Sequence, residues 1–329
     1  MNPMRMRSLA PNTCRPRQAF QRVIPSSTSV QQAGPIVMPS SPAPTSASAP
    51  VAPAGPAPAP LAVASVLVPA AAYDYLANLG ASKAKNSFQK TLFMGILAGV
   101  YIGFGALLAI TVCGNIPGVV ASNPGLAKLL FGMVFPVGLV ITLCCGAELF
   151  TGNTMMVTAA VIEKRTSFGS LVRNWSASYL GNLIGSILIA FVVAGTGLLA
   201  TNAMPTAMAV AKTSLPFSQA FIRGVLCNYL VCCAVWLASS SSTMSGKIMG
   251  AFLPVMAFAT IGLEHSVANM FFLSIGILNG APVTAMQALT SNLVPVTLGN
   301  IVGGAICMAS VYGWVFGALG KPAPVVAKA

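Results

Sequence analysis

Four acidic side chains occur in 329 residues, and two of them stand in near-identical surroundings. Cys145–Met155 reads CGAELFTGNTM and Ile261–Met270 reads IGLEHSVANM, so Glu148 and Glu264 are separated by 264 − 148 = 116 residues. Each lies inside a long apolar run, where a carboxylate costs several kcal/mol unless it is paired or faces a cavity. Either carboxylate could cap the backbone of a broken helix, accepting N–H groups the break sets free. Either could also belong to a polar route through the molecule. His265, the only histidine, follows Glu264 directly. An imidazole can donate a hydrogen bond to an anion, attract it when protonated, or pass it a proton. Proton transfer lets a weak acid cross an apolar region as the neutral species. The plain alternative is a histidine satisfied within the core.

Other polar residues fit the same chemistry. Lys212 precedes the fourth apolar span and is expected in a short loop, where an ammonium concentrates anions by field focusing. An ordinary snorkelling lysine is the alternative. Thr151, Asn228 and Asn300 are neutral groups on or beside spans that can hydrogen-bond an oxyanion or glue helices together. Phe135 and Leu139 share a helix face at i, i+4, as an apolar constriction or as packing. The eight cysteines include two adjacent pairs, Cys144–Cys145 and Cys232–Cys233, and form no CxxC motif. That spacing excludes zinc and iron–sulfur sites and leaves small packing residues, so no metal or cofactor is expected.

The elements that position these residues follow from composition. Charged residues make up 6% of the chain, hydrophobic ones 56%, and mean hydropathy is +0.81. Soluble domains carry about 25% charged residues, so lipid is the expected surroundings. Six apolar spans are expected near 88–112, 127–162, 171–200, 216–239, 248–278 and 292–318. The second and fifth are too long for one crossing, and the Glu148 and Glu264 patches interrupt them. A second matched pair, YLGNLIG from Tyr179 and TLGNIVG from Thr297, has the offset 299 − 181 = 118. Spans 1–3 and 4–6 therefore read as two copies of one unit. Three spans per copy give inverted repeats, whose paired broken helices meet at a midplane binding site.

Net charge is +13, but five arginines (Arg5, Arg7, Arg15, Arg17, Arg22) lie in the first 22 residues, ahead of any acid. Residues 1–35 have the composition of an organellar transit peptide. A nucleic-acid surface would interleave aromatics among the bases, and this segment holds only Phe20. Residues 36–70 read as a Pro/Ala/Ser-rich linker and 71–87 as an amphipathic helix lying at the membrane surface. The six-span domain then covers 88–320, before a tail at 321–329. Nine basic residues on the side of the termini against three opposite put both termini on the cis side, the stroma in a plastid.

The stretches AELFTGNTM at Ala147–Met155, LCNYLVCCAVW at Leu226–Trp236, GLEHSVANM at Gly262–Met270 and NLVPVTLGNIVGG at Asn292–Gly304 resemble the formate/nitrite transporter family, in order along residues 75–320. The resemblance implies an aquaporin-like protomer, a homopentamer, and one substrate path per protomer. It places the family's central histidine on His265, with Glu264 before it. It also places the loop threonine on Thr151, the vestibule lysine on Lys212 and the pathway asparagines on Asn228 and Asn300. The implied apolar constrictions are Phe135, Leu139, Phe150, Val231 and Phe258, and Glu148 is the symmetry mate of the second break. Asn-Pro-Ala motifs are lacking, which argues against a water channel. The leader and GNIPGVVASNPGLAKLLFG at Gly114–Gly132 are most similar to the green-algal plastid-envelope branch, associated with nitrite or bicarbonate. The expectation is a chloroplast inner-envelope anion transporter, nitrite first, bicarbonate or formate second, with protons as possible co-substrates. An intramembrane hydrolase built on His265-Ser266 is the rival, but no GxSxG-type elbow accompanies the histidine. A purely structural scaffold gives no reason for acids and a histidine at matched breaks.

Overall fold

A computed structural model describes residues 66–321. The leader, most of the linker and most of the tail lie outside the described residues. The described chain is helical, apart from one bridge between Val66 and Ser241. The helices run α1 (Pro69–Lys85), α2 (Phe88–Gly114), α3 (Pro117–Ser122), α4 (Pro124–Val134), α5 (Val137–Cys144) and α6 (Phe150–Ile162). They continue with α7 (Phe168–Thr196), α8 (Met204–Thr213), α9 (Phe217–Ser240), α10 (Met244–Ile261), α11 (Ser266–Leu278) and α12 (Ala285–Val315). Six segments are long and apolar enough to cross a membrane: α2, the continuous Pro124–Cys144 of α4 and α5, α7, α9, α10 and α12. Each falls on an expected span, within several residues.

Both over-long spans break at their polar patches. Gly146 and Gly262 adopt φ +76° and +87°, left-handed values that glycine reaches without a Cβ clash. Extended backbone follows at Leu149 and His265, and the two half-helices α6 and α11 begin one residue later. The aligned glycines explain themselves in packing. A Cβ on Gly185 would meet the Ile96 carbonyl oxygen of α2, and one on Gly303 would meet that of Val225 on α9. Small residues thus let α7 close on α2, and α12 on α9, to backbone contact. In α12, the turns at Ala288–Leu293 and Val302–Ser310 widen to i→i+5 hydrogen bonding, which the sequence pattern does not announce.

Two expectations need correction. Lys212 is not in a loop; it lies in the last turn of α8, a helix packed on α11. Helix α1 is amphipathic, but its apolar side (Ala72, Tyr73, Leu76, Ala77, Gly80, Ala84) is buried against protein, chiefly α6. Gly80 approaches the Met156 carbonyl so closely that a Cβ would overlap it. Tyr73 donates to Glu163 Oε1 at 3.0 Å, and Arg165 pairs with Asp74. Burial, then the hydrogen bond to the Glu163 carboxylate, pushes the Tyr73 phenol well above its usual value, so it remains a donor at neutral pH. Elsewhere the outer ranks of the spans are apolar, for example Phe93, Leu97 and Phe104 on α2 and Leu188, Phe191 and Val192 on α7, as lipid contact requires.

Candidate functional site

Each break is held by one lysine, one glutamate and three asparagines. At the first, Lys83 Nζ of α1 donates to Glu148 Oε1 at 2.8 Å. Asn153 Nδ2 donates to Glu148 Oε2 at 2.7 Å and to Asn174 Oδ1 at 3.0 Å, and Asn174 Nδ2 to the Lys83 carbonyl at 3.4 Å. At the second, Lys212 Nζ donates to both oxygens of Glu264, at 3.1 and 3.0 Å. Asn269 Nδ2 donates to Glu264 Oε2 at 2.6 Å and to Asn292 Oδ1 at 2.8 Å, and Asn292 Nδ2 to the Lys212 carbonyl at 3.0 Å. A third asparagine bridges each gap. Asn182 accepts from Phe150 N–H at 2.9 Å and donates to the carbonyls of Gly95 and Glu148. Asn300 accepts from Ser266 N–H at 2.8 Å and donates to those of Gly224 and Glu264. Backbone groups freed by the breaks are satisfied inside the protein, as non-helical chain at membrane depth demands.

Both carboxylates are nearly inaccessible, and the two lysine side chains are 19% and 13% exposed. Pairing is what makes those charges tolerable there. Lys212 also lies 5.5 Å from the centre of the Phe272 ring, a cation–π contact.

The imidazole of His265 occupies the position that Leu149 holds in the first break, 265 − 149 = 116. Its Nδ1 accepts the Ala268 N–H at 3.0 Å and so caps α11. That nitrogen therefore carries no proton, and the neutral ring's hydrogen sits on Nε2. Nε2 lies 2.9 Å from Thr151 Oγ1 on α6, a bond that crosses between the repeats. Phe258 stacks on the ring at 5.9 Å.

Three cavities share walls in series, and this histidine lines two of them. On the Lys212 side a vestibule of about 90 Å³ is lined by Phe131, Phe135, Met208, Lys212, Phe258 and His265, among others. An apolar chamber of about 10 Å³ follows, lined by Ile102, Phe135, Leu139, Leu149, Val231, Val255, Phe258 and His265. It has room for no more than about one water. A vestibule of about 290 Å³ lies beyond Leu149, with Lys83, Lys247, Thr142 and Asn153 in its wall.

The structure thus brings together His265, Thr151, Phe135, Leu139, Val231 and Phe258, with Lys212 at the outer end. It sets Phe150 apart. That ring lines none of these cavities and packs edge-on against Tyr179 and Trp175, at 5.0 and 6.1 Å. Leu149, one residue earlier, faces the chamber instead. Asn228 and Asn300 are also off the cavity walls. Asn228 Nδ2 ties together the carbonyls of Thr151 and Asn300 and the hydroxyl of Thr154. Glu264 bonds Lys212 and Asn269 and lines none of these cavities. Sequence reasoning missed Lys83, Leu149, Asn153, Asn174, Asn182, Asn269 and Asn292. The asparagines carried a signal, since 269 − 153 = 116 and 292 − 174 = 118 repeat the offsets of the acids and the glycines.

A family model described as formate/nitrite transporter matches residues 70–314. The chain is 46% identical over 253 residues to a "Probable formate transporter" of Methanothermobacter thermautotrophicus, covering 71% of this chain and 91% of that one. It is 34% identical over 275 residues to "Formate channel FocA" of Escherichia coli, covering 76% and 94%. Among solved structures, an "FNT family ion channel" superposes with TM-score 0.68 at 30% identity, over 74% of this chain and 98% of that one. A "Pentameric formate channel with formate bound" superposes with TM-score 0.58 at 34% identity, over 70% and 97%.

Proposed function

The chain belongs to the formate/nitrite transporter family, and on that premise we propose that it carries nitrite through a route centred on His265. The observation that carries this reading is the imidazole between Thr151 and the apolar chamber, with a lysine-bearing vestibule on either side. An anion gathers at Lys212 or Lys83, where the ammonium offsets its charge. It then meets the wall of Phe135, Leu139, Leu149, Val231 and Phe258, which offers no compensation. The polar side chain in that chamber wall is His265, whose Nε2–H bonds Thr151 Oγ1 and has to exchange that acceptor for the anion. A proton taken up at Nδ1 displaces the Ala268 N–H and makes the ring an imidazolium, which passes its Nε2 proton to the anion and is left neutral, so the species crosses uncharged. Asn228, Asn300, Glu264 and Glu148 are positioning residues that hold the breaks open around the route.

Formate is the second reading, favoured by the names of the similar proteins. We place five copies around an axis, by likeness to the pentameric channel. We place the chain in the chloroplast inner envelope, both termini stromal, with residues 1–35 as leader and 36–70 as linker. The test is uptake into proteoliposomes of the chain from about residue 65, with nitrite, formate and bicarbonate, with and without an inward proton gradient. His265→Asn retains a side-chain acceptor for the α11 cap but loses the imidazole donor. Wild type should take up nitrite or formate faster under the gradient, and His265→Asn should lose about tenfold to a hundredfold. Wild-type protein with no flux of any of these anions sinks the proposal.

A further inference from the structure

Seven cysteines lie among the described residues, all of them free thiols. Three are buried and two half-buried, as small apolar packing residues are expected to be. Cys144 and Cys145 differ: both are exposed, and they are adjacent. Cys144 is the last residue of α5 and Cys145 its C-cap, just before the left-handed Gly146 of the first break. Met244, the first residue of α10 and 61% exposed, comes from 100 positions away to meet them. Its Sδ lies 3.6 Å from Cys144 Sγ. The cysteine spacing in the sequence gives no sign of this, because the thioether arrives from the other repeat.

Exposed thiols beside a thioether are not explained by packing. Thiolates and thioethers are soft donors, and together they suit Cu(I). Zinc closes a structural site with four Cys, His or carboxylate ligands. Among the described residues no three His, Cys, Asp or Glu side chains gather as a metal site. A two- or three-coordinate Cu(I) needs no such set. Metal–sulfur bonds are about 2.3 Å long, so two sulfurs on one trigonal ion stand about 4.0 Å apart. The observed 3.6 Å is a small side-chain adjustment from that.

The place also borders the wider vestibule. Met244 follows the polar run Ser239-Ser240-Ser241-Ser242-Thr243, which ends the apolar α9. Leu143 and Gly146, on either side of the cysteine pair, line the vestibule wall, as do Ser239 and Lys247. Lys247 is three residues beyond Met244 and so on the same flank of α10. Lys83 in that wall is paired with Glu148, whereas Lys247 makes no ion pair among the described residues.

We propose that Cys144, Cys145 and Met244 form a binding site for a soft monovalent metal ion of the Cu(I) kind. Binding releases two thiol protons and adds one positive charge, so the site passes from neutral to −1. That charge stands beside Lys247 and offsets it, so the occupied site slows the entry of anions into this vestibule. The metal site itself needs no transport; its effect on entry rests on the transport reading above.

The full chain in detergent is titrated anaerobically with Cu(I) held by bicinchoninate, whose colour fades as the ion is withdrawn. Wild type should withdraw one ion per chain more than the Cys144→Ser/Cys145→Ser double variant. Met244→Leu should hold that ion about tenfold more weakly, and Cys307→Ser should keep it. In wild type, Cu(I) should also protect Cys144 and Cys145 from alkylation, read by mass spectrometry, which needs no variant to fold. Equal withdrawal by wild type and double variant overturns the site. So do thiols that Cu(I) leaves open to alkylation, or that the assembled protein hides from the reagent without Cu(I). In proteoliposomes Cu(I) should lower nitrite or formate uptake about threefold at low salt and less at high salt, and leave the double variant unaffected. Unchanged uptake by a chain that has bound the ion overturns the effect on entry. A wild type that carries no anion sinks the transport reading and leaves the metal site to the titration.

Discussion

At the first break a lysine, a glutamate and three asparagines hold the chain open; at the second, five residues of the same three types do so with equivalent partners. The half-helices that follow are both 13 residues long. What differs is the residue between the glutamate and the half-helix, Leu149 in one copy and His265 in the other. The copies differ again in what surrounds it. The Lys212 side is narrowed by Phe131, Phe135, Phe258 and Phe272, while the Lys83 side opens to about 290 Å³, with Thr142 at the position equivalent to Phe258. Duplication therefore separates two jobs. What recurs at both breaks is framework, needed wherever a helix is interrupted at membrane depth. What occurs once is, on the proposed reading, the chemistry, since one donor at one constriction is enough to meet a passing anion.

If the recurring cluster is framework, damaging either copy should cost about the same. Glu148→Gln and Glu264→Gln each leave an ammonium largely buried without its counter-charge, a loss of about 3–5 kcal/mol. Thermal unfolding in detergent should show similar large drops for the two. Lys83→Met combined with Glu148→Leu should recover part of the first, because an apolar pair replaces an orphaned charge. A protein indifferent to one glutamate and crippled by loss of the other would break the equivalence.

The second substitution makes the two breaks alike. His265→Leu writes the first copy's residue into the second and removes a cap and one hydrogen bond. Together these amount to about 1–3 kcal/mol, so the protein should still fold. Anion uptake should fall about tenfold to a hundredfold, much more than stability suggests. Unchanged uptake would mean that the route does not depend on what distinguishes the repeats.

How much of this could be read without coordinates follows from where each residue lies. Glu148 and Glu264 stood out because acids are scarce and the offset of 116 repeats. The glycine stretches after Tyr179 and Thr297 stood out because close helix contact admits few residue types. Lys83 was invisible to the same reasoning. It is supplied by α1, ahead of the six spans, and Lys212 by α8, so their separation, 212 − 83 = 129, keeps neither repeat offset. A lysine near a helix end looks the same in sequence whether it snorkels or turns inward. Phe150 and Leu149 show the limit of inference from type alone. Both are apolar and adjacent, and only the extended backbone at Leu149 decides which faces the chamber. Asn228 and Asn300 were assigned to the route because an amide suits an oxyanion, yet their donors are committed to carbonyls and a hydroxyl.

The mildest test concerns the place where the copies touch. Tyr179 and Thr297 are equivalent residues, 297 − 179 = 118, and their hydroxyls lie 3.1 Å apart. Two equivalent residues in contact mark the line about which the repeats are related, so this bond joins the halves without favouring either. The Tyr179 ring also supports Phe150 edge-on, just past the first break. Tyr179→Phe keeps that ring contact and deletes the bond, at a cost of about 0.5–1.5 kcal/mol, or a few degrees in Tm. Because neither hydroxyl belongs to a cavity wall, uptake and the ranking of anions should stay as in wild type. Thr297→Val should give the same small loss, and the double variant no more than either alone, as expected of two groups whose only shared role is to bond each other. A change in anion ranking from either substitution would place the seam between the repeats on the route itself, and the division into shared framework and single-copy chemistry would have to be redrawn.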